Sequence, residues 1–292
     1  MLLVRSARPL DLADPFGADL LDLTAESQRV SLTVEALDGR GIVLGRHVGA
    51  ARVAGSRASG LARRVSSGAP LFLDRGVYAA FAVPSIDHQF KDATPRNLLN
   101  RHVRPMLGAL RACGLQATYL GRDWISVLAG GERRAMFAIG YEGLPSGEIL
   151  FEFFASLQSD LRIPPAIASD LELATNRFGG RPTFAADNLA DPGNFVERLR
   201  ARLAEALASS SDPEEVLISP SSRLLRDPGP CRGAPVEVPI GWLDAFADGR
   251  VGGDLMCASW VLDHAQHSRV APEAALLDGA TWADVMCVKL RG

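Results

Sequence analysis

The sequence predicts an α+β protein, built on a mixed, mostly antiparallel sheet flanked by helices, with a small α/β extension toward the C-terminal end. Three observations predict it. Short apolar runs punctuated by glycine succeed one another between residues 117 and 157. Two helical stretches bracket that region. One carries Leu98, Leu99, Val103, Met106, Leu107 and Leu110, and the other Phe195, Leu199, Leu203 and Leu207, at steps of 3 and 4. A Ser-rich break at 209–213 then separates a remainder that reads as short strands and helices.

The chain has 292 residues, of which 47% are hydrophobic, enough for one sizeable core and a small accessory region. Charged residues make up 22% and the formal net charge is −3, so neither a nucleic-acid surface nor an anionic-membrane surface is expected. The cysteines Cys113, Cys231, Cys257 and Cys287 show no CxxC spacing and no zinc-ligand pattern. Free thiols, a first segment with no continuous apolar run, and no stretch of about 20 apolar residues predict a cytoplasmic protein without a spanning helix.

In chain order, a helix is expected over 19–30 and a strand over 41–44, where Ile-Val-Leu lies between glycines. Residues 46–61, small and Arg-rich, read as a loop. Residues 63–84 read as a Ser/Gly loop feeding a strand hairpin, its two arms separated at 74–76. The helix over 94–113 stops at Gly114, a good C′ residue. Strands at 117–120, 124–128, 135–141 and 149–157 form a meander with turns at 130–131 and 145–147. A helix over 192–208 comes next, and short strands are expected at 216–218, 236–239 and 255–260. The two predicted units are therefore 1–208 and 214–292.

The segment RRVSSGAPLFLD at 63–74 resembles the RRxSGGGAVxHD loop of lipoate–protein ligases and of the related octanoyltransferases and biotin ligases. The later segments also keep an order similar to that of the family. A helix ends at Gly114, then come GRDWISV from Gly121, GGERRAMFAIG from Gly130, GEILFEFFASLQSDL from Gly147, and RPTFAADNL from Arg181 before the last helix. The resemblance covers roughly residues 15–207 and rests on the order of these matches, no one of which is specific. It implies a divergent protein that binds a lipoyl or octanoyl group or transfers it to a lipoyl-type carrier domain. ATP and Mg²⁺ are implied only if adenylation is retained. The alternative is a non-catalytic acyl- or partner-binding protein on the same fold.

The same resemblance assigns candidate residues. Arg63 and Arg64 would clamp a carboxylate or acyl phosphate, or else form a solvated basic turn. Ser66, Ser67, Gly68 and Ala69 would line an acyl tunnel, with Asp74 ordering the loop or capping a strand. Asp123 would hold a cation or nucleotide group. Arg133 or Arg134 falls at the catalytic lysine position, and strand alternation sends the two to opposite faces. Glu152 is expected either in that pocket, paired with an arginine, or facing solvent.

Departures from the family pattern predict weak adenylation or none. Ser67 and Ala69 add Cβ atoms where glycines would let ligand and backbone approach. Leu73 replaces the His before Asp74, Asp123-Trp124 replaces an Asn-Asp pair, and residues 149–152 replace two histidines, a glycine and a threonine. An arginine fork presents its donors differently from a lysine ammonium. Cys231 falls about 70 residues too late for the nucleophile of the cysteine-using relatives. Cys113 reads as core. His264 and His267 lack a third ligand partner.

Overall fold

The computed structural model describes residues 1–50, 60–85, 98–119, 124–144, 146–157, 159, 161–164, 192–208, 212–223, 225, 227, 229, 236–238, 241–245 and 251–253. Side chains are described over these residues except at 98–99, 192–193 and from 236 onward. A ten-stranded sheet dominates. Its main path runs β10 (Glu214–Ile218), β1 (Leu2–Ser6), β3 (Ser31–Leu44), β5 (Leu71–Val83), β9 (Ile149–Ser156), β8 (Glu132–Gly143), β7 (Trp124–Ala129) and β6 (Ala117–Thr118), with β2 (Leu10–Asp11) and β4 (Leu61–Arg63) pairing with β3. From β3 to β6 every pairing on that path is antiparallel, whereas β1, β2, β4 and β10 add in parallel. The sheet is thus mixed and mostly antiparallel, as the sequence predicts.

Alternation along the central strands sends residues to two cores. Val77, Ala79, Phe81 and Val83 of β5, with Phe151 and Phe153 of β9, pack under α2 (Leu98–Ala112) and α3 (Pro192–Leu207). Tyr78, Ala80 and Ala82, with Leu150 and Phe154, face α1 (Phe16–Ser27) on the other side. Over the described side chains both predicted apolar faces do what their spacing implies, while Leu98 and Leu99 lie outside them. Val103, Met106 and Leu110 of α2, and Phe195, Leu199, Leu203 and Leu207 of α3, are buried in the first core. Arg200 ties α3 to the sheet from inside. It is 4% exposed and donates to the Val34 carbonyl at 2.9 Å, to Glu35 at 3.1 Å and to Glu197 at 2.5 Å.

Several expectations need correction. Residues 71–83 are one strand, not a hairpin. The turn-type residues Asp74-Arg75-Gly76 stay in the strand opposite a bulge in β3, where Asp38 and Gly39 face the single residue Arg75, at φ 50°. The strand expected at 41–44 begins at Ser31, and the first helix ends at Ser27, before the predicted 30. β10, at the start of the predicted accessory region, hydrogen-bonds along β1 in the main sheet. Beyond it, β11 (Val236–Val238), β12 (Gly241–Ala245) and β13 (Val251–Gly253) form a separate antiparallel sheet. The strand expected at 255–260 lies outside the described residues. No helix among them is long and apolar enough to cross a membrane.

Candidate functional site

The loop joining β4 to β5 lies on the α1 face of the sheet, and every residue from Arg64 to Pro70 is buried. Its backbone rests directly on β8. The Ser67 amide donates to the Tyr141 carbonyl at 3.0 Å. A Cβ added at Gly140 would stand 1.8 Å from Ser66 Oγ and 3.0 Å from the Ser67 carbonyl, so only glycine permits that approach. Gly68, at φ 120°, turns the chain where a side chain would meet the Arg64 guanidinium at 2.3 Å.

Glu152 anchors the loop from below. It is 2% exposed and its cross-strand neighbours are Ala80 and Gly140, small residues that leave room for the carboxylate. Oε2 accepts the Ser66 amide at 2.7 Å and Oε1 accepts the Tyr78 hydroxyl at 2.8 Å. Burial raises the Glu152 carboxyl above its ordinary range, while the Ser66 and Tyr78 donors and the Arg64 charge pull it back. Burial and the neighbouring Glu152 push the Tyr78 phenol well above its usual value. Arg64, 4% exposed, donates to the Ala69 carbonyl at 3.0 Å and lies 5.6 Å from the centre of the Phe154 ring. A cavity of about 20 Å³, room for one water, remains beside Arg64, Tyr78 and Glu152.

A second buried carboxylate flanks the loop. Glu142, 3% exposed on β8, has His47 Nε2 at 3.2 Å and Arg46 at 3.7 Å. The Arg46 amide in turn donates to the Ser66 carbonyl at 2.9 Å. Arg63 points away from Arg64. Its guanidinium donates to the carbonyls of Gly45, Arg46 and Val48 at 2.9, 3.1 and 2.6 Å, and to Asp227 at 2.5 Å.

The structure brings together Arg64, Ser66, Ser67, Gly68 and Ala69, and adds Glu152 and Tyr78. Arg133 and Arg134 stand apart from this group, beside the β7–β8 turn. Arg133 is exposed, bonds Thr118 Oγ1 and lines a surface groove of about 410 Å³, while Arg134 lies 3.4 Å from Glu132. Asp74 pairs across the sheet with Arg40 at 3.4 Å. Trp124, 8% exposed, packs into the α1-side core. Cys113 is half-buried at the end of α2, and burial raises its thiol. Asp123, Cys231, Cys257, Cys287, His264 and His267 lie outside the described residues.

At Ser66 and Ser67 the loop offers a phosphate no open backbone amide. A phosphate cradle needs free backbone N–H groups, and here the Ser66 and Ser67 amides are already used, with two buried carboxylates beside them. Among the described residues no three His, Cys, Asp or Glu side chains group as metal ligands.

Among solved structures, the protein is similar to a chain from the archaeal lipoylation system of Thermoplasma acidophilum, a bi-partite lipoate protein ligase and its E2 lipoyl domain. The two chains are 16% identical, with a TM-score of 0.53 over 75% of this chain and 87% of that one. The fold is that of a lipoate–protein ligase. A protein of unknown function from Pyrococcus horikoshi matches at TM-score 0.39 with 16% identity over 70% of this chain and 90% of that one. The biotin protein ligase of Leishmania major, in complex with biotinyl-5-AMP, matches at TM-score 0.35 with 8% identity over 86% and 97%. No protein-family model matches the sequence, and no curated protein does.

Proposed function

We propose that this protein handles a lipoyl or octanoyl group, binding it or passing it to a lipoyl-type carrier domain, without forming an acyl-adenylate. The lipoate–protein ligase fold and the order of the sequence motifs support the acyl group and the carrier. The observation that carries the second half is the bond from the Ser66 amide to Glu152. A loop that grips an anion does so with backbone N–H groups that have no partner within the protein. Here the Ser66 amide is turned onto a buried carboxylate, so in this arrangement it is already taken and does not face a ligand.

A second reading, a non-catalytic binder of an acyl group or a partner, draws on the separation of Arg133 and Arg134 from the loop. Two measurements divide these readings. ATP–pyrophosphate exchange with lipoate or octanoate is expected to stay at background. Calorimetric titration with an octanoylated carrier domain is expected to show binding, and transfer of the group to an unmodified carrier separates the transferring protein from the pure binder. Strong exchange would sink the claim of no adenylation, and failure to bind either acid or either form of the carrier would sink the acyl reading.

A further inference from the structure

The Arg63 guanidinium has an unusual setting for a charged group in a turn. Its side chain is 8% exposed, and three loop carbonyls hold one of its nitrogens. The other terminal nitrogen and the Ala50 amide converge on a single oxygen, Oδ2 of Asp227, at 2.5 and 2.8 Å. A fixed guanidinium N–H and a backbone N–H aimed at one point make a receptor for one carboxylate oxygen. Asp227 itself is 41% exposed, so the anion arrives from the solvent side while the receptor is built into the protein.

The carboxylate is delivered by a segment C-terminal to β10. That segment is fastened in two places before it reaches Arg63. The Ser221 amide donates to Asp19 of α1 at 3.1 Å, and Arg223 pairs with Asp22 at 2.8 Å. Leu225 packs against the α1-side core. Asp227 then closes on Arg63 and Ala50, and its Oδ1 accepts the Gly229 amide at 2.7 Å.

We propose that Arg63 and the Ala50 amide form a carboxylate-binding site, that Asp227 is its in-chain occupant, and that a carboxylate-bearing ligand competes with Asp227 for it. Arg63 opens the same loop that carries Arg64 and Ser66, and its acceptors at Gly45, Arg46 and Val48 hold the 45–50 turn against that loop. Exchange of Asp227 for another carboxylate therefore couples the surface to the buried loop. Only the choice of ligand rests on the acyl-handling reading. The carboxylate is either the head of a free fatty acid such as octanoate or an acidic side chain on the carrier domain. A latch closed nine-tenths of the time lowers apparent affinity about tenfold.

The test vacates the site. Asp227→Ala is expected to melt at a lower temperature than wild type. Sodium acetate should restore its Tm saturably, where sodium chloride of equal ionic strength does not, and wild type should respond to acetate only at about tenfold higher concentration. Equal responses of Asp227→Ala to acetate and chloride would overturn the proposal. Should that variant fold poorly, Asp227→Asn keeps the shape and removes the charge. Arg63 should then react faster with phenylglyoxal, read by peptide mass spectrometry, and an unchanged rate would also overturn it. Octanoate binding about tenfold tighter to Asp227→Ala than to wild type identifies the free acid as competitor. The same gain seen only for an unmodified carrier domain identifies a protein carboxylate. Acetate rescue with no octanoate or carrier bound by either form keeps the carboxylate site and sinks the acyl-handling reading.

Discussion

The main-chain amide of Ser66 donates to Glu152 Oε2 across 2.7 Å, which fastens a loop between β4 and β5 to the middle of the sheet. Glu152 also accepts the Tyr78 hydroxyl and lies in the field of Arg64. Truncation to Glu152→Ala leaves the Ser66 amide and the Tyr78 phenol without this acceptor and removes the carboxyl group beside the Arg64 guanidinium. Breaking a buried charged network in this way costs roughly 3–5 kcal/mol. Urea unfolding is expected to show that loss, with Glu152→Gln falling between the variant and wild type. A loss below about 1 kcal/mol for Glu152→Ala would mean the carboxylate holds nothing together.

The pH dependence comes from the same residue. Burial raises the Glu152 carboxyl in the folded state above its unfolded value. The folded protein then binds more protons than the unfolded chain between those two values, and stability falls as pH rises through that window. Glu152→Gln removes the titration. The stability of wild type relative to Glu152→Gln should therefore be greater at about pH 5 than at about pH 8, because the unfolded carboxyl titrates near 4.3. Chemical denaturation at the two pH values checks it, and a reversed difference would show that the Tyr78, Ser66 and Arg64 contacts outweigh burial.

Gly140 tests the contact between loop and strand. Its missing side chain is what lets Ser66 Oγ and the Ser67 carbonyl touch β8. Gly140→Ala would place a methyl inside that contact, on backbone that cannot retreat without breaking the Ser67–Tyr141 bond. Overpacking of this kind costs typically 1–3 kcal/mol. A lower Tm with faster amide exchange at Ser66 and Ser67 is expected. An unchanged Tm would mean that the loop is free to lift.

Much of this architecture was legible in sequence, and particular residues explain where legibility ended. The faces of α2 and α3 are set by leucines at steps of 3 and 4, which only a helix brings together. β3 is obscured because Glu35, Asp38, Gly39 and Arg40 interrupt its apolar run, although the chain stays paired through the bulge. Asp74-Arg75-Gly76 has turn chemistry but serves that same bulge. Glu152 was ambiguous because its partners Ser66 and Tyr78 are 86 and 74 residues away. The signal available was the run Ile-Leu-Phe-Glu-Phe-Phe, in which a lone carboxylate between bulky apolar neighbours on both faces has no route to solvent. His47 and Arg63 find their roles through contacts with Glu142 and Asp227, again distant in sequence.

Arg200 offers a test on the opposite face. Its guanidinium satisfies the Val34 carbonyl and neutralises Glu35, whose carboxyl burial holds above the ordinary range against the pull of Arg200. Arg200→Ala takes the nearest cation from a mostly buried carboxylate, which keeps only the Ser6 amide at 3.3 Å and Arg5 at 4.0 Å, and removes a donor from the Val34 carbonyl. A loss of about 3–5 kcal/mol is expected in equilibrium unfolding. Glu35→Gln in the same background should recover part of it, because the buried charge that has lost Arg200 is then gone. Additive losses in the double variant would show that the two side chains do not act as a pair.

Adenylation by this protein is expected to be absent or very weak. Acyl-adenylate formation needs electrostatic contacts that strengthen as charge develops on the phosphate, and removing one such contact costs roughly 3–4 kcal/mol of transition-state stabilisation. At the sequence positions where the family resemblance implies such contacts, this protein has Trp124 packed in a core, an arginine for a lysine, and Glu152 in place of a neutral or cationic side chain. The Ser66 amide is spent on that carboxylate. The losses are not strictly additive, yet two or three of them leave little rate. Neither Arg133→Lys nor Arg134→Lys should raise ATP–pyrophosphate exchange above background, because both residues stand near the β7–β8 turn and away from the Arg64 loop. Glu152→Gln combined with Glu142→Gln, which removes both carboxylates but supplies no cation for a phosphate, should not raise it either. Exchange by the unmodified protein, or its recovery in a single lysine variant, would place the nucleotide elsewhere on this fold and overturn the charge argument.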